Sequence, residues 1–153
     1  MTPNPPALAS SVKFERFEIP VTIGPADIDR LGHVNNVVYV RWVQDAAVAH
    51  WKARATQEQQ EKYLWVVVRH TIEYKRSAQK DDAILVRTWV GKASDLTFER
   101  HTEVLRERDR KVLATATTVW CPVHPETLKP VRVTADVRER FSVPETETET
   151  ERS

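Results

Sequence analysis

Two aspartates two positions apart, Asp27 and Asp29, are followed by Gly32, His33 and the pair Asn35–Asn36. A carboxylate can attack a carbonyl carbon directly, or take a proton from a water that does so. The residues after Asn35 run without Gly or Pro to Arg54, so a helix is expected to begin near Asn36, with the Asn35 side-chain oxygen capping it. The first N–H groups of a helix have no intrahelical partner and lie at the positive end of its dipole. Such donors can hold a carbonyl oxygen as it becomes negative while the carboxylate acts on the carbon. Either carboxylate, just ahead of such backbone N–H groups, is therefore a minimal kit for acyl transfer. The same residues have a plainer use: Asp27, Asp29, His33 and Asn35 can cap the turn and the helix through local hydrogen bonds.

These residues must be held by the elements around them. Val12 to Ile23 alternates in part (Phe14, Phe17, Ile19, Val21, Ile23) and is expected to form a first strand. The helix Asn36 to Arg54 carries Val37, Val40, Val43, Ala47 and Trp51 on one stripe, with Tyr39, Trp42, Ala46 and Ala49 beside it. Its polar strip of Arg41, Asp45 and Lys52 is narrow, so other structure should wrap most of its girth. Tyr39 and Trp42 read as core. Gln57 to Lys62 is a polar connector with room for a helical turn. Four long runs rich in β-branched and aromatic residues follow: Leu64 to Arg76, Ala83 to Ala93, Leu96 to Arg106 and Lys111 to Val123. The separators at Ser94–Asp95 and Asp109–Arg110 suit antiparallel hairpins. A short strand near Val131 to Val133 and a helical turn over Ala135 to Phe141 are expected to close the domain. The class is α+β: about five antiparallel strands wrapped around one long central helix.

Composition narrows the rest. The 153 residues suit a single domain, expected over 12–143. Residues 1–11 carry Pro3, Pro5 and Pro6 and read as an arm. The Thr-Glu repeats of 144–153 hold no apolar residue after Pro144 and read as a disordered acidic tail. A net charge of +1 points to neither nucleic acid nor a membrane surface. The single cysteine, Cys121, precludes an intramolecular disulfide and a cysteine zinc site, and reads as a small buried hydrophobe. His50, His70, His101 and His124 share no ligand spacing. With three glycines, neither a Gly-rich nucleotide loop nor a Gly-x-Ser-x-Gly nucleophile turn is present. No leader pattern or membrane-length apolar run is visible, so a cytoplasmic address is expected.

The run Asp27, Asp29, Gly32, His33, Val34, Asn35, Asn36 and Tyr39 resembles that of hot-dog thioesterases of the 4-hydroxybenzoyl-CoA thioesterase type, and of their acyl-ACP and short-chain acyl-CoA relatives. The strand, helix and four-strand order matches over roughly Val12 to Phe141. The resemblance implies a hot-dog fold and hydrolysis of an acyl-CoA or acyl-ACP thioester. It makes Asp29 the catalytic carboxylate, as nucleophile or as general base, and gives the Asn36 N–H the thioester carbonyl. His33 is a further candidate, and Asp27 and Asn35 are candidate substrate contacts. The plant acyl-ACP pattern Asp-x-Asn-x-His is matched at Asp29 and His33 but has Leu31 at its Asn position, which removes that Asn role.

The resemblance also implies a homodimer or homotetramer with the site between protomers. An open sheet edge supplies an independent physical motive for pairing. Phosphates of coenzyme A would call on basic groups such as Lys75, Arg76, Lys80 and Arg100. Hydrolysis of an activated thioester needs no cofactor or metal. Two other functions stay open. A hydratase or dehydratase on the same fold pairs Asp with a His after four intervening residues; here three separate Asp29 from His33 and five separate Asp27 from it. A non-catalytic acyl-thioester binder would keep the fold without turnover. Acyl length, aromatic against aliphatic character, and the carrier are left open at this point.

Overall fold

Asn35 opens the long helix as expected: its Oδ1 accepts the N–H of Val37 at 3.3 Å, and helix α1 runs Asn36–Arg54 with Lys52 and Arg54 in its last turn. The structure, a computed structural model, describes residues 15–141; the expected arm 1–11, the strand start at 12–14 and the tail 144–153 lie outside the described residues. Strand β1 (Phe17–Val21) precedes α1. Helix α2 (Gln57–Lys62) follows it, opened by a reciprocal capping box between Thr56 and Gln59. Then come β2 (Leu64–Tyr74), β3 (Ile84–Ala93), β4 (Phe98–Arg106), β5 (Lys111–Val123) and helix α3 (Ala135–Arg140).

The strands form one antiparallel sheet in the order β1-β3-β4-β5-β2. The meander β3-β4-β5 is its centre, and the two strands flanking α1 in sequence, β1 and β2, form its two edges. Register puts Phe17, Ile19 and Val21 opposite Thr88, Val86 and Ile84, all on the face that α1 covers. This is the expected hot-dog arrangement: a five-stranded sheet with one long helix against it.

Three expectations change. The helix is not wrapped on most of its girth. Val38, Tyr39, Trp42, Val43, Ala46, Ala47 and His50 are buried, whereas Val37 is 68% exposed and Val48 is 44% exposed. A sheet covers only one side of a helix, so the buried stripe follows the residues that meet it and Val37 is turned outward. No strand forms at 131–133 either. Val123 and Pro130 make an isolated bridge, and Val131 N–H donates to Pro122 O at 3.0 Å, but no ladder continues. Pro130 has no N–H to extend one. Cys121 is only partly buried, on the opposite face from the cavity-lining Trp120.

Packing divides along the helix. Its N-terminal half meets Ile84, Val86, Val104, Leu113 and Ala114, with Ile19, Val21 and Ile28 against the same group. Toward its C-terminal end a second cluster forms from Tyr63, Val90, Phe98, Val137 and Phe141, with Trp51 and Trp65 packed on it.

Candidate active site at the start of the central helix

A 3-10 turn over Pro25–Asp27 leads from β1 into a tight loop closed by the bridge between Ile28 and Val34. Gly32 sits in this loop at φ 82°, the left-handed region that glycine adopts without a side-chain clash. Two further contacts pin the loop to the segment after β2: His33 bridges to Gln79, and Val34 N–H donates to Ala78 O at 3.0 Å. Ala78 N–H in turn donates to the Tyr39 hydroxyl at 2.9 Å. The Tyr74 hydroxyl donates to Asn36 O at 3.2 Å, so the C-terminal end of β2 lies beside the helix start.

Asp29 is partly buried, and its two oxygens differ. Oδ1 accepts the N–H groups of Leu31 at 2.9 Å and His33 at 3.1 Å, while the backbone N–H of Asp29 donates to His33 O at 2.7 Å. Oδ2 takes no hydrogen bond from the described residues. One oxygen therefore fixes the carboxylate in the loop and the other keeps its lone pairs. The turn-capping use of Asp29 is real, and it involves Oδ1 alone among the described residues.

Asp27 is committed elsewhere. Its Oδ2 accepts Gly24 N–H at 2.8 Å, its Oδ1 accepts Arg41 Nη2–H at 3.2 Å, and its carbonyl accepts Asn35 N–H at 2.8 Å. The Gly24 N–H, together with Arg41, holds the Asp27 carboxyl below the usual carboxylate range against the opposing effect of burial. Asn35 spends its Oδ1 on Val37 N–H. The N–H of Asn36, the first residue of the helix, then has no acceptor among the described residues, as the first-turn geometry requires. The His33 side chain makes no hydrogen bond to the described residues.

The loop thus holds Asp29, His33 and Asn35 immediately ahead of Asn36, with Asp27 tied to Gly24, Arg41 and Asn35. Arg100, expected among the groups for coenzyme A phosphates, is not at this mouth: it is 8% exposed, inside the sheet–helix layer. The alternation Phe98, Thr102, Val104 on one face already put position 100 inside, and that parity was the overlooked signal. Among the described residues no cluster of His, Cys, Asp and Glu has metal-site geometry. None of their helices is long and apolar enough to cross a membrane.

The sequence matches the family model described as Thioesterase-like superfamily over residues 23–141. No curated protein matches it in sequence. Among solved structures, a 1,4-dihydroxy-2-naphthoyl-CoA thioesterase from Synechocystis is similar with TM-score 0.72 at 18% identity, over 83% of this chain and 96% of that one. A DHNA-CoA thioesterase from Staphylococcus aureus is similar with TM-score 0.72 at 21% identity, over 83% and 89%. A thioesterase from Thermus thermophilus, complexed with coenzyme A and Zn, gives TM-score 0.72 at 23% identity, over 84% and 98%. A family match over most of the length, on the fold those structures share, makes this chain a member of the thioesterase-like superfamily with hot-dog architecture.

Proposed function

We propose that the protein hydrolyses an acyl thioester of coenzyme A, or of acyl carrier protein, to the free acid and thiol. The observation that carries this is the unequal use of the Asp29 oxygens: Oδ1 is held by Leu31 and His33 N–H, and Oδ2 takes no hydrogen bond from the described residues. Oδ2 attacks the thioester carbonyl carbon, or deprotonates the water that does. The carbonyl oxygen takes up negative charge against the Asn36 N–H, and the C–S bond breaks. On the general-base route the proton that Asp29 took from water passes to the departing thiolate. On the nucleophilic route water then cleaves the Asp29–acyl anhydride to the free acid and the regenerated carboxylate, and supplies the proton of the thiol. His33, whose side chain makes no hydrogen bond to the described residues, is the further candidate for contact with substrate. Asp27 and Asn35 serve by holding the backbone, since their acceptor oxygens are already engaged.

Two surfaces complete the reading. Lys75, Arg76 and Lys80 are exposed on the segment whose Ala78 and Gln79 pair with the catalytic loop, which favours them for the coenzyme A phosphates. The edge strand β2 has no strand on one side among the described residues and shows Leu64, Val66 and Val68 to solvent at 46, 47 and 58% exposure. Pairing β2 with its copy about a two-fold axis would cover that edge and make a homodimer, the unit from which a homotetramer can be built.

The test is thiol release from acyl-CoA esters of short to long chain, including a benzoyl ester, by wild type and Asp29→Asn. Turnover by wild type with a loss of ~100-fold or more in the variant is expected for removal of a positioned acid–base group. Absence of thiol release from every acyl-CoA and acyl-ACP ester would overturn the hydrolase reading in favour of a binding module.

A further inference from the structure

The turn that carries Asp29 belongs to a small ladder of three extended segments. Ile28 bridges to Val34, and His33, one residue earlier, bridges to Gln79 on the segment after β2. Antiparallel register then sets Asp29 opposite His33, and Ala78 opposite Val34, so two rows of residues cross all three segments. One row is Ile28, Val34 and Ala78, which packs into the core around the start of α1. The other is Asp29, His33 and Gln79, which side-chain alternation turns to the face away from that core.

Hydrogen bonds fix the spacing within the outer row. Asp29 N–H donates to His33 O at 2.7 Å, which makes that pair the hydrogen-bonded kind, ~5.5 Å apart at Cα. Val34 N–H donates to Ala78 O at 3.0 Å, which makes His33–Gln79 the closer, non-hydrogen-bonded kind, ~4.5 Å apart. Gln79 therefore stands on the order of 10 Å from Asp29 at the backbone, with His33 between them. Its main chain is held twice, since its N–H donates to Asp82 Oδ2 at 2.9 Å and its carbonyl accepts Asp82 N–H at 3.0 Å. The residue is exposed, and its side-chain amide makes no hydrogen bond to the described residues.

The chemistry changes in order along this path. Asp29 is the carboxylate, and Gln79 at the other end of the row is a neutral amide, with N–H donors and a carbonyl acceptor. Beyond it come the exposed cations, Lys80 next in sequence and Lys75 and Arg76 a few residues earlier on the same segment. Thioester, amide and phosphate follow one another in that order along a phosphopantetheine arm. Two carbons separate its sulfur from its first amide, and its phosphate lies at the far end. An arm laid outward from Asp29 along the row meets Gln79 with an amide before it reaches the cations.

We propose that Gln79 is a specificity-determining residue: its side-chain amide binds the first amide of the phosphopantetheine arm, which coenzyme A and acyl carrier protein share, and so selects thioesters of that arm over alkyl thioesters. A primary amide can donate to the arm's carbonyl and accept from its N–H, so one side chain satisfies both groups. The fixed main chain of Gln79 keeps that contact in register with Asp29. The inference rests on the reading of Asp29 as the thioester site and adds to it the recognition of the carrier arm. The contact is made alike in the ground state and the transition state, so its effect belongs to KM.

Kinetics with two thioesters of one acyl group test this: the N-acetylcysteamine ester, which ends just past the first amide of the arm, and the S-pentyl ester, which has the same reach without it. Wild type should prefer the amide-bearing ester in kcat/KM. Gln79→Leu should narrow that preference at least ~5-fold, the worth of a hydrogen bond between neutral groups, and should do so through KM. Acyl-CoA and acyl-ACP should lose by a similar factor in the variant, and the carrier is the one that wild type turns over with the higher kcat/KM. No preference in wild type, or a loss in kcat with KM held, overturns the proposal. So does a variant slowed on both esters with its preference intact, which is the mark of a structural fault. If wild type hydrolyses no thioester, the hydrolase reading fails on its own, and calorimetry with coenzyme A carries the test of Gln79. Gln79→Leu should then bind coenzyme A at least ~5-fold more weakly, and equal binding, or none to wild type, overturns the proposal.

Discussion

Arg100 donates to His50 Nδ1 at 3.0 Å, so a buried cation and a buried imidazole share one hydrogen bond beneath the helix. An acceptor at Nδ1 requires a neutral ring, with Nε2–H donating to Glu15 Oε1 at 3.0 Å. Burial first, then the facing Arg100, lowers the His50 pKa to about 4, outweighing Glu15. Phe17 stacks on the ring at 4.8 Å and Phe141 meets its edge at 5.0 Å, closing the site to water.

A stability profile follows with a defined sign. The folded-state pKa of His50 lies below its unfolded value of about 6.5, so its contribution is fully present above pH ~6.5 and is lost as pH falls toward ~4. The full span is on the order of 3 kcal/mol. Urea midpoints at pH 7, 5.5 and 4.5 should fall for wild type and fall less for His50→Gln, whose side-chain oxygen can still accept from Arg100. Equal slopes would show that another group sets the acid limb.

At Asp29, activity and stability should separate. Asp29→Asn keeps an oxygen for the Leu31 and His33 N–H groups, so its melting temperature should stay close to wild type while thiol release falls ~100-fold. Asp29→Ala frees both donors and should lose about 1–2 kcal/mol of stability as well. A stable Ala variant would mean that the loop is held by its backbone contacts alone.

Gly91 is packed for want of a side chain. A Cβ there would stand 2.6 Å from His101 Nε2, whose ring stacks on Trp89 at 5.7 Å. Gly91→Ala should cost about 1–3 kcal/mol as the His101 ring is displaced. The cost should shrink when His101→Ala is added, and a double-mutant cycle with no coupling would sink this account.

Much of this structure was legible because certain residues admit one reading. The limits of α1 followed from Asn35 and from a run without Gly or Pro, and β5 spans the expected Lys111 to Val123. The Asp29 loop was legible as a place, since only Gly32 suits its left-handed turn. Which Asp29 oxygen would be free depends on loop closure and has no sequence signature. Two misreadings have physical causes. Val131 to Val133 has strand composition, but Pro130 cannot continue a ladder. Arg100, a candidate for the coenzyme A phosphates by residue type, is sent inward by the alternation along β4.

Edge pairing is tested by charge. Val68 lies at the β2 bulge and is 58% exposed, so a lysine there should be harmless to the protomer and repel a second β2 across a two-fold. Light scattering should find wild type dimeric or larger and Val68→Lys monomeric. A monomeric wild type at micromolar concentration contradicts the pairing.

The strand order also sets a timetable for synthesis. Phe17 must wait for Thr88, and Tyr74 for Ala114, before either edge of the sheet has a neighbour. At ~5–20 residues per second the ribosome leaves β2, with Val66 and Val68 on it, unpaired for seconds after it emerges. Such non-local contacts also make for slow folding, because loop closure precedes any pairing. The nascent chain is therefore most exposed to aggregation between the emergence of β2 and that of β5, and the meander is the step that ends that interval.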